Sequence, residues 1–104
     1  MIEKTVYEYL EKHHIGKDKM IKNKTLRSMF GIKSDKAMRK VIQNIREDIN
    51  FTKVVGSVSG KSGGFYICNS EEEIEETINN IRHRAGQMYR MCCVLEYKLQ
   101  KQRS

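Results

Sequence analysis

Few residues in this chain are of a type and spacing that could do chemistry. The segment Ser59-Gly60-Lys61-Ser62-Gly63-Gly64 sets a lysine and hydroxyls among glycines, the composition of a loop that cradles phosphate. A nucleotide-binding loop of the form G-x-x-x-x-G-K-[ST] also needs a glycine five residues before Gly60, where the chain has Val55, with Gly56 one residue late. It needs a helix directly afterwards, and Gly63-Gly64-Phe65-Tyr66 reads as a strand, so nucleotide hydrolysis is not expected. The three histidines, His13, His14 and His83, have no Cys, His, Asp or Glu partner at ligand spacing, and no metal is expected. Cys92 and His83, considered as a nucleophile and its base, stand nine residues apart on one helical segment, more than two turns. The acidic run Glu71-Glu72-Glu73 with Glu75-Glu76 is accounted for by helix capping. No catalytic residue and no cofactor is assigned, and the chain reads as a non-enzyme. What remains is a cationic face, Lys36, Arg39, Lys40, Gln43 and Arg46, on one side of one helical segment.

The charge balance supports attention to that face. The 104 residues carry 20 Lys and Arg against 13 Asp and Glu, a net charge of +7. All of the excess lies before Ser70: fourteen basic against seven acidic residues up to Asn69, then six against six. A basic module joined to a neutral segment suggests a polyanion-binding unit beside a segment with another task. With 38% hydrophobic residues the chain can bury one compact core, and a deep multi-lobed active site is not expected. No run approaches a membrane span, and Met1-Ile2-Glu3-Lys4 lacks the layout of a secretion signal, which leads to the expectation of a soluble, cytoplasmic protein. Cys68, Cys92 and Cys93 are an odd count, so a disulfide scaffold is not expected.

The elements that must hold these residues follow from periodicity. Ile2, Val6, Tyr9 and Leu10 share one face of a helix to His13, with Gly16 as the stop. Met20-Ile21 is long enough only for an edge strand or a turn. Asn23 is read as the cap of a second helix, Lys24 to Phe30, with Leu26, Met29 and Phe30 inward, ended by Gly31. Ser34 or Asp35 caps a third helix to about Asp48, whose buried stripe is Met38, Val41 or Ile42, Ile45 and Ile49. Val54, Val55 and Val58, then Phe65, Tyr66 and Ile67, flank the glycine-rich segment as a β-hairpin, where glycine is expected to supply positive φ. Ser70 with Glu73 forms a capping box that opens a long helix.

Helix, short strand, helix, tight turn, helix and hairpin is the element order of a winged helix-turn-helix domain. The stretch from Leu26 to Arg46, LRSMFGIKSDKAMRKVIQNIR, resembles the helix-turn-helix of small winged-helix proteins encoded by phages and mobile elements of Gram-positive bacteria. The likeness covers residues 2 to 69. It implies an α+β, mostly α fold, a winged helix-turn-helix domain over residues 1–69, followed by a long helix over 70–104. It further implies that the third helix enters the major groove, with Ser34, Lys36, Ala37, Lys40 and Gln43 as readers of base edges. Arg39 and Arg46 are left between phosphate contacts and pairing with Asp35, Glu47 or Asp48. Lys61 is either a cation at the tip of the wing, with Ser59 and Ser62 as supporting donors, or a solubilising loop lysine. The alternative for the whole third-helix face is an ordinary solvated surface.

From Ile74 the positions Ile74, Ile78, Ile81, Ala85, Met88, Cys92, Leu95 and Leu99 are spaced alternately by four and three, a heptad seam. Ile74, Ile78 and Ile81 can pack back on the core, with Cys92 read as a small buried hydrophobe. Ala85, Met88, Met91, Cys92, Leu95 and Leu99 are the expected dimerisation face, against one continuous intramolecular face as the alternative. Flanking residues such as Arg82, Arg84, Tyr89, Met91 and Glu96 leave the direction of the paired helices open. The expected function is sequence-specific binding of double-stranded DNA as a homodimer, in transcriptional regulation or replication. The competing expectation is a small phage or mobile-element protein whose Met-rich helix binds a host protein.

Overall fold

Apolar spacing in the first two thirds of the chain produces three helices that share one core with a small sheet. The computed structural model describes residues 1–60 and 62–103, and the chain divides into two units, Met1–Ile74 and Glu75–Ser104. In the first unit the order is α1 (Ile2–His13), a single 3₁₀ turn (Lys17–Lys19), β1 (Ile21–Lys22), α2 (Asn23–Phe30), α3 (Asp35–Glu47), β2 (Val55–Ser57) and β3 (Gly64–Ile67). α4 (Glu71–Arg103) follows. The fold is α+β and mostly α, in the winged helix-turn-helix order. The core comprises Val6, Tyr7 and Leu10 of α1, Leu26 of α2, and Met38, Val41, Ile42 and Ile45 of α3. Ile21, Val55, Phe65 and Ile67 of the strands complete it. A stripe at helical spacing on α3 facing alternate residues of the sheet excludes water from one continuous volume.

The sheet is antiparallel in the order β1-β3-β2, with Ile21 opposite Phe65 and Val55 opposite Ile67. Ile15 adds a parallel bridge to Ile67, through Gly16 N–H to the Ile67 carbonyl at 2.8 Å and Ile67 N–H to the His14 carbonyl at 2.8 Å. Except for Gly60, the glycines of the hairpin serve a different purpose from the one expected. Only Gly60 among them has positive φ, at 99°. Gly63 and Gly64 are there for close backbone approach, since a Cβ would lie 1.9 Å from the Val58 carbonyl oxygen and 2.0 Å from that of Ile21 respectively. Gly56 leaves room for the fully buried Tyr66 ring, 2.5 Å from where its Cβ would stand.

Polar ties fix the helices against one another. The Asn44 amide donates to the Glu3 carboxylate at 3.1 Å, joining α3 to α1, and this hydrogen bond holds the Glu3 carboxyl below its ordinary value. The Tyr7 hydroxyl receives the Lys53 N–H at 3.1 Å while its ring packs tilted against Phe51, centroids 4.7 Å apart. α4 begins as a modified capping box: Ser70 Oγ accepts the Glu73 N–H at 3.2 Å. The Glu73 carboxylate reaches past Ser70 to the N–H groups of Asn69 at 2.7 Å and Lys17 at 3.1 Å.

Several expected positions differ. Asn23 is the first residue of α2 and not its cap, which is Lys22. Met29 is 49% exposed, because the short helix turns only Leu26 fully inward. Ile49 is 91% exposed because α3 ends at Glu47 and its stripe is complete at Ile45. In α1 the inward face is Val6, Tyr7 and Leu10, with Ile2 exposed and Tyr9 only partly covered. α4, 33 residues and about 50 Å long, carries no long apolar run, and no helix among the described residues is long and apolar enough to cross a membrane. Ile78 and Ile81 are exposed, and Cys92, expected to be buried, is exposed as well.

Candidate nucleic-acid interface

The sequence specifies both ends of α3 tightly. Ser34 caps it, its Oγ accepting the Ala37 N–H at 3.0 Å from an extended backbone. Asp35, in the first turn, is held by Arg27 of α2 at 3.0 Å and by the Asn23 amide at 3.1 Å. Arg27 also donates to the Lys33 carbonyl at 2.8 Å. One guanidinium thus bridges the turn between α2 and α3 and fixes their angle. Neither Asn23 nor Arg27 stands out by periodicity; the signal available in the sequence was an Asp in a first helical turn eight residues after an Arg.

With Met38, Val41, Ile42 and Ile45 buried, α3 has one rotational setting, and its opposite face is turned to solvent. That face forms an open hollow of about 480 Å³ lined by Ser34, Lys36, Ala37, Arg39, Lys40 and Gln43. Six of the residues expected to contact DNA are therefore brought together. Ala37 is exposed and small, so at its position another surface can approach the helix backbone closely. Among the described residues Lys36, Arg39 and Lys40 form no ion pair, and Asp35, one expected partner of Arg39, is taken by Arg27. Like charges at i, i+3 and i, i+4 cost a helix roughly 0.2–0.5 kcal/mol per pair. Lys36 with Arg39 and Lys36 with Lys40 are two such pairs, and nothing within α3 offsets them. The Gln43 amide rests on Glu47 at 3.0 Å, an exposed contact that a stronger acceptor can displace.

Of the remaining two expected contacts, one lies elsewhere. Arg46 donates from Nε to the Val55 carbonyl at 2.8 Å and from Nη2 to Ser57 Oγ at 3.2 Å, tying the last turn of α3 to β2. It is partly buried, and it meets neither Glu47 nor Asp48 in these bonds. The proximity of the hairpin to the end of α3 is a tertiary property that spacing within a helix does not reveal. Lys61 lies outside the described residues. Around it, Ser59 and Ser62 are exposed and the Gly63 N–H closes a turn on the Gly60 carbonyl at 3.0 Å.

In α4 the expected dimerisation residues Ala85, Met88, Met91, Cys92, Leu95 and Leu99 are all exposed, Met88 at 65% and Leu95 at 55%. Among the described residues no three His, Cys, Asp or Glu side chains come together in a way that would hold a metal ion. No protein-family model, no curated protein and no solved structure matches this chain.

Proposed function

We propose that this chain is a cytoplasmic, sequence-specific binder of double-stranded DNA. It acts as a homodimer, is of the phage or mobile-element winged-helix type, and serves transcriptional regulation or replication. It needs no cofactor and is not an enzyme. The observation that carries this reading is the cluster of Lys36, Arg39 and Lys40, without an ion pair among the described residues, around an open α3 hollow that Ser34, Ala37 and Gln43 also line. A helix seated in the major groove offers Lys and Arg to guanine O6 and N7, Gln43 to adenine, and flanking cations to phosphates. Arg46 takes no part in this reading except as a brace.

The test is binding of Lys36→Ala and Lys40→Ala variants to a DNA duplex selected by the unaltered protein. Each is expected to weaken binding; unchanged affinity in both would remove α3 from the interface. A second reading, binding of a host protein, draws on the exposed apolar residues of α4. Retention of full DNA affinity by Leu95→Asp together with loss of a defined, nuclease-resistant host complex would favour it.

A further inference from the structure

The seam of α4 is written for a partner, and the charges beside it say which partner and which way round. Ile81, Met88 and Leu95 alternate with Ile78, Ala85, Cys92 and Leu99 along one side, and every one of them is exposed. We infer that this face pairs with α4 of a second copy of the chain in antiparallel orientation, with the two-fold axis passing near residue 90. The inference rests on the homodimer reading above and adds direction and register to it.

Layer by layer, that register sets small against large. Ala85 meets the second copy's Leu95, Cys92 meets its Met88, and Ile81 meets its Leu99. A parallel pair in register would instead stack Ala85 on Ala85 between an Ile81 layer and a Met88 layer, leaving a void where coiled coils pack knobs into holes. Volume alone therefore favours the antiparallel arrangement.

Charge selects the same one. On one flank of the seam stand Glu75, Arg82, Tyr89, Glu96 and Arg103, at intervals of seven. In an antiparallel pair this flank faces itself. About residue 90 it sets Glu75 against Arg103, Arg82 against Glu96, and Tyr89 against Tyr89, so every charged member meets its opposite. Sliding by one heptad in one direction sets Glu75 against Glu96, and in the other sets Arg82 against Arg103. The other flank, Arg84, Met91 and Lys98, contributes one unfavourable pairing, Arg84 with Lys98, occurring twice against four favourable ones. The parallel alternative sets Lys98 against Arg103 and pairs no opposite charges across the seam. Among the described residues Glu75, Arg82, Glu96 and Arg103 have no ion pair within the chain. Charge at these flanking positions is the usual determinant of orientation and partner choice. The two copies of Glu75 would then stand about 45 Å apart along the rod, at 1.5 Å per residue.

The test uses the full chain with Cys68, Cys92 and Cys93 replaced by Ser. One variant carries Ala85→Cys and another Leu95→Cys, and each is oxidised alone and after mixing to exchange subunits. A cross-linked dimer that forms only in the mixture supports the inference. Cross-linking of either variant alone means a parallel pair and overturns it, and so does a dimer by sedimentation that cross-links in neither case. In parallel, Arg82→Glu and Glu96→Arg are each expected to weaken dimerisation about tenfold, since each creates two like-charge contacts, and the double variant is expected to regain the lost affinity. Failure of the double variant to recover refutes the register. Neither residue belongs to the α3 face, so the DNA reading is tested separately on the Lys36→Ala and Lys40→Ala chains. Cross-links that persist while DNA binding is absent refute that reading alone.

Discussion

The salt dependence of DNA binding is the most quantitative consequence of the α3 geometry. Each cation that neutralises a phosphate releases counterions, so the logarithm of affinity falls with the logarithm of salt concentration with a slope of about 0.9 per contact. Lys36, Arg39 and Lys40 are exposed, grouped on one hollow and without an ion pair among the described residues, so removal of all three as alanines should make the slope shallower by up to about 2.7 per protomer, or about 5.4 for the homodimer. Between 50 and 200 mM salt, a fourfold range, the difference for the homodimer amounts to as much as about 1,800-fold in affinity. Alanine is the best helix former, so the substitutions preserve α3 and the comparison is between folded proteins. Fluorescence anisotropy of a labelled duplex, titrated at four salt concentrations, reads the slope directly. Arg46→Ala is the internal control: its guanidinium is bound to Val55 and Ser57, so its loss should cost about 1–3 kcal/mol of stability and leave the slope unchanged. A triple variant with the original slope would refute the placement of these three cations against the DNA. An Arg46→Ala chain of normal stability and altered slope would show that the brace was misread.

Other expectations are structural. Gly64→Ala places a Cβ 2.0 Å from the Ile21 carbonyl and should detach β1 from β3, seen as a melting temperature lower by several degrees or as failure to fold; an unchanged melt would contradict the strand register. Asp35→Ala leaves Arg27 without its carboxylate at the α2–α3 turn, and a loss of about 1–2 kcal/mol is expected in urea unfolding, together with weaker DNA binding. The Glu3 carboxyl is held low by Asn44, so the stability it contributes is present above its ordinary value of 4.5 and is lost as pH falls through the lowered value. Urea midpoints of the unaltered chain and Asn44→Ala should therefore differ near pH 6 and converge toward pH 3, and a gap that stays constant would break the link between α1 and α3.

Much of the arrangement is legible in the sequence because it rests on local physics. Periodicity at Met38, Val41, Ile42 and Ile45 fixes the inner face of α3, and the outer face follows by subtraction. Ser34 and Ser70 announce their helices because an oxygen one residue before the first turn satisfies an otherwise orphaned N–H. The features that spacing does not reveal share a tertiary origin. Arg46 belongs by spacing with Arg39, and only the hairpin folding back on α3 gives it carbonyl and hydroxyl partners. Asn23 has the right residue type for a cap, yet its amide is drawn to Asp35 twelve positions later. Ile49 continues a helical stripe on paper after the helix has ended. Gly63 and Gly64 are read from the sequence as hairpin-tip glycines, but the close approach of Val58 and Ile21 that requires them, and that of Tyr66 to Gly56, depends on strand pairing.

The central claim is that the α3 face reads DNA sequence, and the most direct measurement is selection of binding sites by this chain from random double-stranded DNA at near-physiological salt. The account predicts enrichment of an inverted repeat, lost when Lys36 and Lys40 are both replaced by alanine. Recovery of no common sequence, with binding that disappears as salt rises, would contradict it and leave charge as the sole source of any attraction.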